Sequence, residues 1–203
     1  MDVYTIKHGE ELVKAARHAV ELCLMSPNFK TSMLESHLGG FKERHGVIVT
    51  IQHYPTMTMR GSMGFPKPTG AVRHLVIEAA VAAAIEDPGY VPVSHMEFED
   101  IVISVDILSM PEPVKGTPDA KKRKIKIGRD GLMIEYGFRT GILLPIVPIE
   151  GRWTKDQFLE ALCKKAGFDE DAWKRSDYSL FRFTSQTFRE LSPRGPTEEI
   201  IFE

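Results

Sequence analysis

The chain has 203 residues, of which 42% are hydrophobic, with a formal net charge of −2 and only two cysteines. That length suits one domain, or one domain with a small lobe attached, and it supports a real core without a disulfide or metal clip. The charge balance excludes a global electrostatic draw toward nucleic acid or anionic membrane, though not a local basic patch. Cys23 and Cys163 each fall on the apolar stripe of a predicted helix, where a cysteine acts as a small hydrophobe; a disulfide framework is not expected, and a reducing, cytoplasmic setting is. Met1-Asp2-Val3-Tyr4 lacks a secretory pattern. No apolar run approaches the roughly 18 residues of a spanning helix, so no membrane partner is expected.

Residues 9–25 read as a helix, because Leu12, Val13, Ala16, Val20, Cys23 and Leu24 recur at three- and four-residue steps, with Pro27 as its stop. Residues 26–46, holding Gly39-Gly40, read as an irregular connection. Residues 47–52 alternate with high β-branched content and read as a strand. After the turn His53-Tyr54-Pro55, residues 57–60 read as a second strand pairing back as a hairpin. Two glycines and two prolines in Gly61 to Pro68 then predict an irregular segment. Residues 70–86 form an alanine-rich helix ending at Asp87-Pro88-Gly89. Ser94-His95-Met96-Glu97 matches a capping box before a short helix. Residues 101–109 are a strand closed by Pro111 and Pro113.

Residues 114–122 read as an exposed loop. Gly128-Arg129-Asp130-Gly131, between residues 123–127 and 132–138, gives a hairpin signal. Ile142 to Leu144 is a short strand. Thr154-Lys155-Asp156-Gln157 is a second capping box, and Gly167 sits where a left-handed C-cap belongs. A short helical piece around Trp173 precedes a final strand over 178–188. Residues 193–203 read as a loose tail. Helices and strands interleave without a βαβ rhythm, and several strands look like hairpins. The expectation is an α+β fold with an antiparallel sheet flanked by helices.

Arg60-Gly61-Ser62-Met63-Gly64 is the foremost candidate site. Glycines let the backbone approach a ligand, free amides in such a bend cradle an anion, and Arg60 adds a forked cationic donor. Ser62 supplies a hydroxyl that can hydrogen-bond or attack. The plain alternative is a strand-to-loop turn with an exposed arginine. Asp87 is a second catalytic candidate and a carboxylate partner for Arg60, against the simpler role of finishing a helix. Lys121-Lys122-Arg123-Lys124, with Lys126 and Arg129, is the only basic cluster. It can meet phosphates, but no aromatics interleave with it, and a solvated loop is the favoured account. The histidines, at 8, 18, 37, 45, 53, 74 and 95, lack ligand spacing, so neither a metal nor a cofactor is expected.

Met59-Arg60-Gly61-Ser62-Met63-Gly64 resembles the Leu-Arg-Gly-Cys-Ile-Gly signature of the AMMECR-type domain family, and the chain resembles its prokaryotic members. Gly46 to Thr50 is similar to the strand leading into that signature, and Glu86-Asp87-Pro88 through Pro92 to the loop after the alanine-rich helix. Gly128 to Leu132, Gly141 to Pro145, Trp153, Phe158-Leu159 and Lys165-Ala166-Gly167 are similar to its C-terminal half. The resemblance implies an α+β fold with a central antiparallel sheet and a smaller lobe, within one domain over 1–203, and an intracellular protein. It implies no settled activity; the residues and the resemblance together leave three expectations, the first of them leading. One is a ligand- or RNA-associated regulatory module taking a nucleotide, an RNA segment or a carboxylated peptide at Arg60 to Gly64. Another is an enzyme of RNA or protein modification acting with Memo-type and radical-SAM proteins. The third is a protein-interaction adaptor. Two departures bear on these: Ser62 replaces the signature cysteine, a far better nucleophile, and Gly89 stands where the family carries an arginine-like residue.

Overall fold

The computed structural model describes residues 4–26, 29–35 and 38–201. The chain divides into two compact units, one comprising the chain up to Leu108 with Gln186–Ile201, the other Ser109–Ser185. The fold is α+β with antiparallel sheets.

In the first unit, helix α1 (Ile6–Met25) starts ahead of its apolar stripe, because Thr5 and His8 close a capping box there. Pro27, expected to stop it, lies outside the described residues. A four-residue helix α2 (Ser32–Glu35) interrupts the connection that follows. Strands β1 (Gly46–His53) and β2 (Thr58–Phe65) form the expected hairpin. The second strand does not break off at Arg60, however. Residues 61–65, expected to be irregular, stay paired with β1 through Val47↔Phe65. Gly61 is there for proximity: a Cβ on it would overlap the Ala83 carbonyl oxygen of α3 (Val72–Ile85). The glycine thus admits a helix onto the strand instead of ending it.

Strand β3 (Ile101–Leu108) pairs antiparallel with β1, and the sheet order is β2-β1-β3-β8-β9, with β8 at Ser185–Glu190 and β9 at Thr197–Ile200. Helices α1 and α3 cover one face, where Val47, Val49, Ile51, Ile103 and Val105 join Leu12, Val20, Val76 and Phe188 in one core. Arg17 is buried in that core, with its guanidinium paired to Glu190 and donating to the Ile101 carbonyl. The expected loose tail is a correction. Residues 197–200 pair with β8, because Ser192-Pro193-Arg194-Gly195 turns the chain back, and Arg189 meets Glu198 at 3.0 Å. Phe202 and Glu203 lie outside the described residues.

In the second unit the sheet order is β4-β7-β5-β6, built from β4 (Glu112–Pro113), β5 (Gly131–Tyr136), β6 (Arg139–Leu143) and β7 (Ser179–Phe183). The strand expected over 178–188 is therefore two strands in different sheets, parted at Thr184. Part of the expected exposed loop is helix α4 (Pro118–Lys124), since Thr117 caps it, Pro118 fills its first turn and its lysines lie toward its C-terminus. The expected Asp-Gly hairpin is also a correction. Asp130 is buried and closes its own loop by accepting the Lys126 amide at 2.8 Å, while Arg129 pairs with it. The hairpin is instead β5–β6, turning at Gly137-Phe138 with Gly137 at φ 60°. A short helix α5 (Val147–Glu150) follows. Helix α6 (Lys155–Lys165) starts at the expected capping box and is followed by Gly167 at φ 70°. It packs on β5 and β6 in a core of Leu132, Ile134, Phe158, Leu162 and Trp173.

Candidate functional site

The β1–β2 ladder contains a bulge. Gln52 faces Met59 and Ile51 faces Gly61, which leaves Arg60 as the extra residue. A bulge re-aims a side chain that alternation would otherwise place on one face of the sheet. Here it turns Arg60 into the protein, where it is 6% exposed. Its Nε donates to Glu97 Oε1 at 2.7 Å, Nη1 to the Val91 carbonyl at 2.7 Å, and Nη2 to the Pro92 carbonyl at 3.0 Å and Glu97 Oε2 at 3.3 Å. The guanidinium expected to meet an anionic ligand is thus engaged by a carboxylate and two carbonyls of the same unit. Arg60 pairs with Glu97; Asp87, whose favoured role from sequence is to finish a helix and whose alternative is to pair with Arg60, is not bonded to it.

Glu97 has two tasks. It caps the 3₁₀ turn His95–Asp100 by accepting the Ser94 amide at 2.8 Å, and it neutralises Arg60. The hydrogen bond from Arg60, with those from Ser94, holds its carboxyl down at about 2 against the opposing effect of burial. Val93 is buried and its amide bonds the Ala84 carbonyl at 2.7 Å, so residues 91–97 are tied at both ends. Outward this segment presents Val91, 77% exposed, and Met96, 88% exposed, beside the exposed Pro92, Ser94 and His95. Met59, Tyr54 and Tyr90 are also exposed.

The remaining signature residues are also engaged within the unit. The Ser62 amide donates to Asp87 Oδ2 at 2.7 Å, and Asp87 Oδ1 accepts the Gly89 amide at 2.8 Å. Asp87 therefore fastens the loop after α3 to β2. The Ser62 hydroxyl lies 3.0 Å from Thr50 Oγ1, its cross-strand partner. Gly61, Met63 and Gly64 are paired strand residues, and Met63 packs on the core. The structure brings Ser62 and Asp87 together through a backbone amide, and among the described residues the Ser62 hydroxyl has no hydrogen-bonded base.

Sequence reasoning missed Asp106. It lies on the sheet face away from α1 and α3, as do Thr50 and Ser104, which are cross-strand partners. Asp106 is 2% exposed and accepts a 2.5 Å bond from Thr187 Oγ1. Burial pushes its carboxyl up to about 7, against the lowering effect of that bond. An aspartate inside the apolar run Ile101 to Leu108 was the available signal. Among the described residues no three of His, Cys, Asp and Glu are grouped to hold a metal, and His37 lies outside them.

The AMMECR1 family model matches residues 13–188, which takes in the whole of this site. The chain belongs to the AMMECR1 family. A protein of Thermococcus onnurineus is 42% identical over 202 residues, covering 97% of this chain and 98% of its own. One from Methanocaldococcus jannaschii is 40% identical over 200 residues, with 98% of each chain covered. The crystal structure of an uncharacterized protein from Pyrococcus horikoshii superposes with a TM-score of 0.88 at 37% identity, covering 96% of this chain and 97% of that one. In this AMMECR1-family chain the Arg60 guanidinium and the Ser62 amide tie the 87–97 segment to β2. No helix among the described residues is long and apolar enough to cross a membrane.

Proposed function

We propose that this AMMECR1-family chain is a protein-interaction module whose signature segment presents the 91–97 loop to a partner protein. The carrying observation is the bulged Arg60, buried and bonded to Glu97, Val91 and Pro92, behind a loop that exposes Val91 and Met96. A loop fixed before binding avoids the ordering cost that a mobile one incurs on association. Exposed apolar side chains on such a loop suit a partner's apolar surface.

The rival readings fit this site less well. Nucleophilic catalysis by Ser62 needs a base within reach, and its hydroxyl meets Thr50 instead. Recognition of RNA or a nucleotide needs free cations, yet residues 87–100 contain no lysine or arginine and Arg60 is engaged. The Memo-type and radical-SAM proteins associated with the family are the first partners to test. Calorimetric titration of each purified partner is expected to give binding that Val91→Asp with Met96→Asp weakens at least about tenfold. A partner bound equally well by that double variant refutes the assignment.

A further inference from the structure

The second unit contains a cavity of about 540 Å³ between α4, β4, β7 and the segment after Trp173. That volume falls within the range of small-molecule sites, roughly 300–1,000 Å³. Three of its lining residues are Lys115, Lys121 and Lys174, and none is acidic. Its apolar wall comprises Val114 and Leu180, both buried, with Phe181. Three carboxylates nearby in sequence are directed to other cations: Glu112 pairs with Arg182, Asp177 with Arg175 and Asp119 with Lys122.

Lys121 is the unusual member. It belongs to the basic run that the sequence singled out, yet it is only 5% exposed. Its Nζ donates to the Trp173 carbonyl at 2.7 Å and to the Arg175 carbonyl at 3.4 Å. An ammonium carries three donors, so one remains beyond those two bonds. Both partners are neutral oxygens, and among the described residues no carboxylate hydrogen-bonds to this buried charge. Burial lowers its pKa, as it must for a cation with no anion beside it. A buried charge is favourable only when paired, and an incoming anion would supply the pair.

We propose that this cavity binds a small organic anion, a phosphate monoester or carboxylate on an apolar body, with the charged group at Lys121, Lys115 and Lys174 and the body against Val114, Leu180 and Phe181. This inference is independent of the interaction surface of the first unit and concerns a different ligand class.

The test is a heteronuclear NMR titration of the full chain with phenyl phosphate, phenylacetate, benzyl alcohol and inorganic phosphate. Phenyl phosphate or phenylacetate is expected to shift the amides of residues 113–116 and 174–181, and the better of the two identifies the charged group. Benzyl alcohol, lacking charge, and inorganic phosphate, lacking the apolar body, are each expected to bind at least about tenfold more weakly. Lys115→Gln with Lys174→Gln, both exposed positions, is expected to weaken the preferred anion by about tenfold or more, and Lys121→Met to abolish its binding. The double variant keeps the test valid should Lys121→Met fail to fold. Absence of shifts with both organic anions, equal binding of benzyl alcohol or inorganic phosphate, or an unchanged affinity in the double variant overturns the proposal.

Discussion

Arg60 in the first unit and Lys121 in the second are both buried cations, 6% and 5% exposed, and they are satisfied in different ways. Arg60 is met by the Glu97 carboxylate as well as the Val91 and Pro92 carbonyls. Lys121 is met by carbonyl oxygens alone. A cation closed by an internal carboxylate holds structure together and has little left to offer a ligand. A cation held by neutral oxygens keeps an uncompensated charge that a bound anion can complete. Asp106 is the converse case, a buried carboxylate met by a hydroxyl and, among the described residues, by no cation.

The largest effect that would break this comparison is expected at the closed pair. Arg60→Ala leaves Glu97 without its cation and two carbonyls without donors, and is expected to cost about 3–5 kcal/mol in urea unfolding. Amide hydrogen exchange should rise over residues 91–97. A loss under about 1 kcal/mol would mean that Arg60 does not hold the loop.

Asp106 is expected to come next. Its folded pKa stands above the unfolded value, so the folded state binds more protons between about pH 4 and 7. Stability is therefore full below the unfolded pKa and falls as pH rises through the folded one. The loss between pH 4 and 8 should be about 2–4 kcal/mol, and Asp106→Asn should abolish it. Glu97 has the opposite sign: its pKa is depressed, so its contribution is present above about pH 4.5 and is lost as pH falls toward 2. Urea midpoints measured from pH 3 to 8 for wild type, Asp106→Asn and Glu97→Gln separate the two trends.

Lys121→Met should cost less than Arg60→Ala, about 1–3 kcal/mol, because it leaves carbonyls unsatisfied but strands no opposite charge. A cost equal to that of Arg60→Ala would erase the distinction between the two cations. Lys115→Gln with Lys174→Gln, on exposed positions, should change stability by less than about 0.5 kcal/mol, so thermal melts should leave it unchanged while anion binding falls.

What the sequence made legible follows the range of the interactions. The Thr154 capping box and the Gly167 C-cap are local, and both stand as expected. The hairpin of residues 47–52 and 57–60 was readable from the alternation of its first strand and the turn after it. Its continuation through Gly61 was not, because the reason for that glycine lies in Ala83 of another element. The Asp130-Gly131 dipeptide carried a valid turn signal, but its carboxylate closes a loop on Lys126 instead. The signature was found from its residue types. Its role was hidden, since the partners of Arg60 lie 31 to 37 residues away and a bulge decides where it points. Lys121 looked like its neighbours in the basic run, because burial of one lysine in a helix depends on packing against Trp173 and Arg175.

The order β2-β1-β3-β8-β9 has a consequence for biosynthesis. The edge of β3 that β8 will occupy emerges from the ribosome before any of Ser109–Ser185, so it waits while that whole unit is translated. At typical elongation rates the delay is on the order of ten seconds. During that interval an eight-residue strand, apolar at six positions, offers an open ladder to any neighbouring nascent chain.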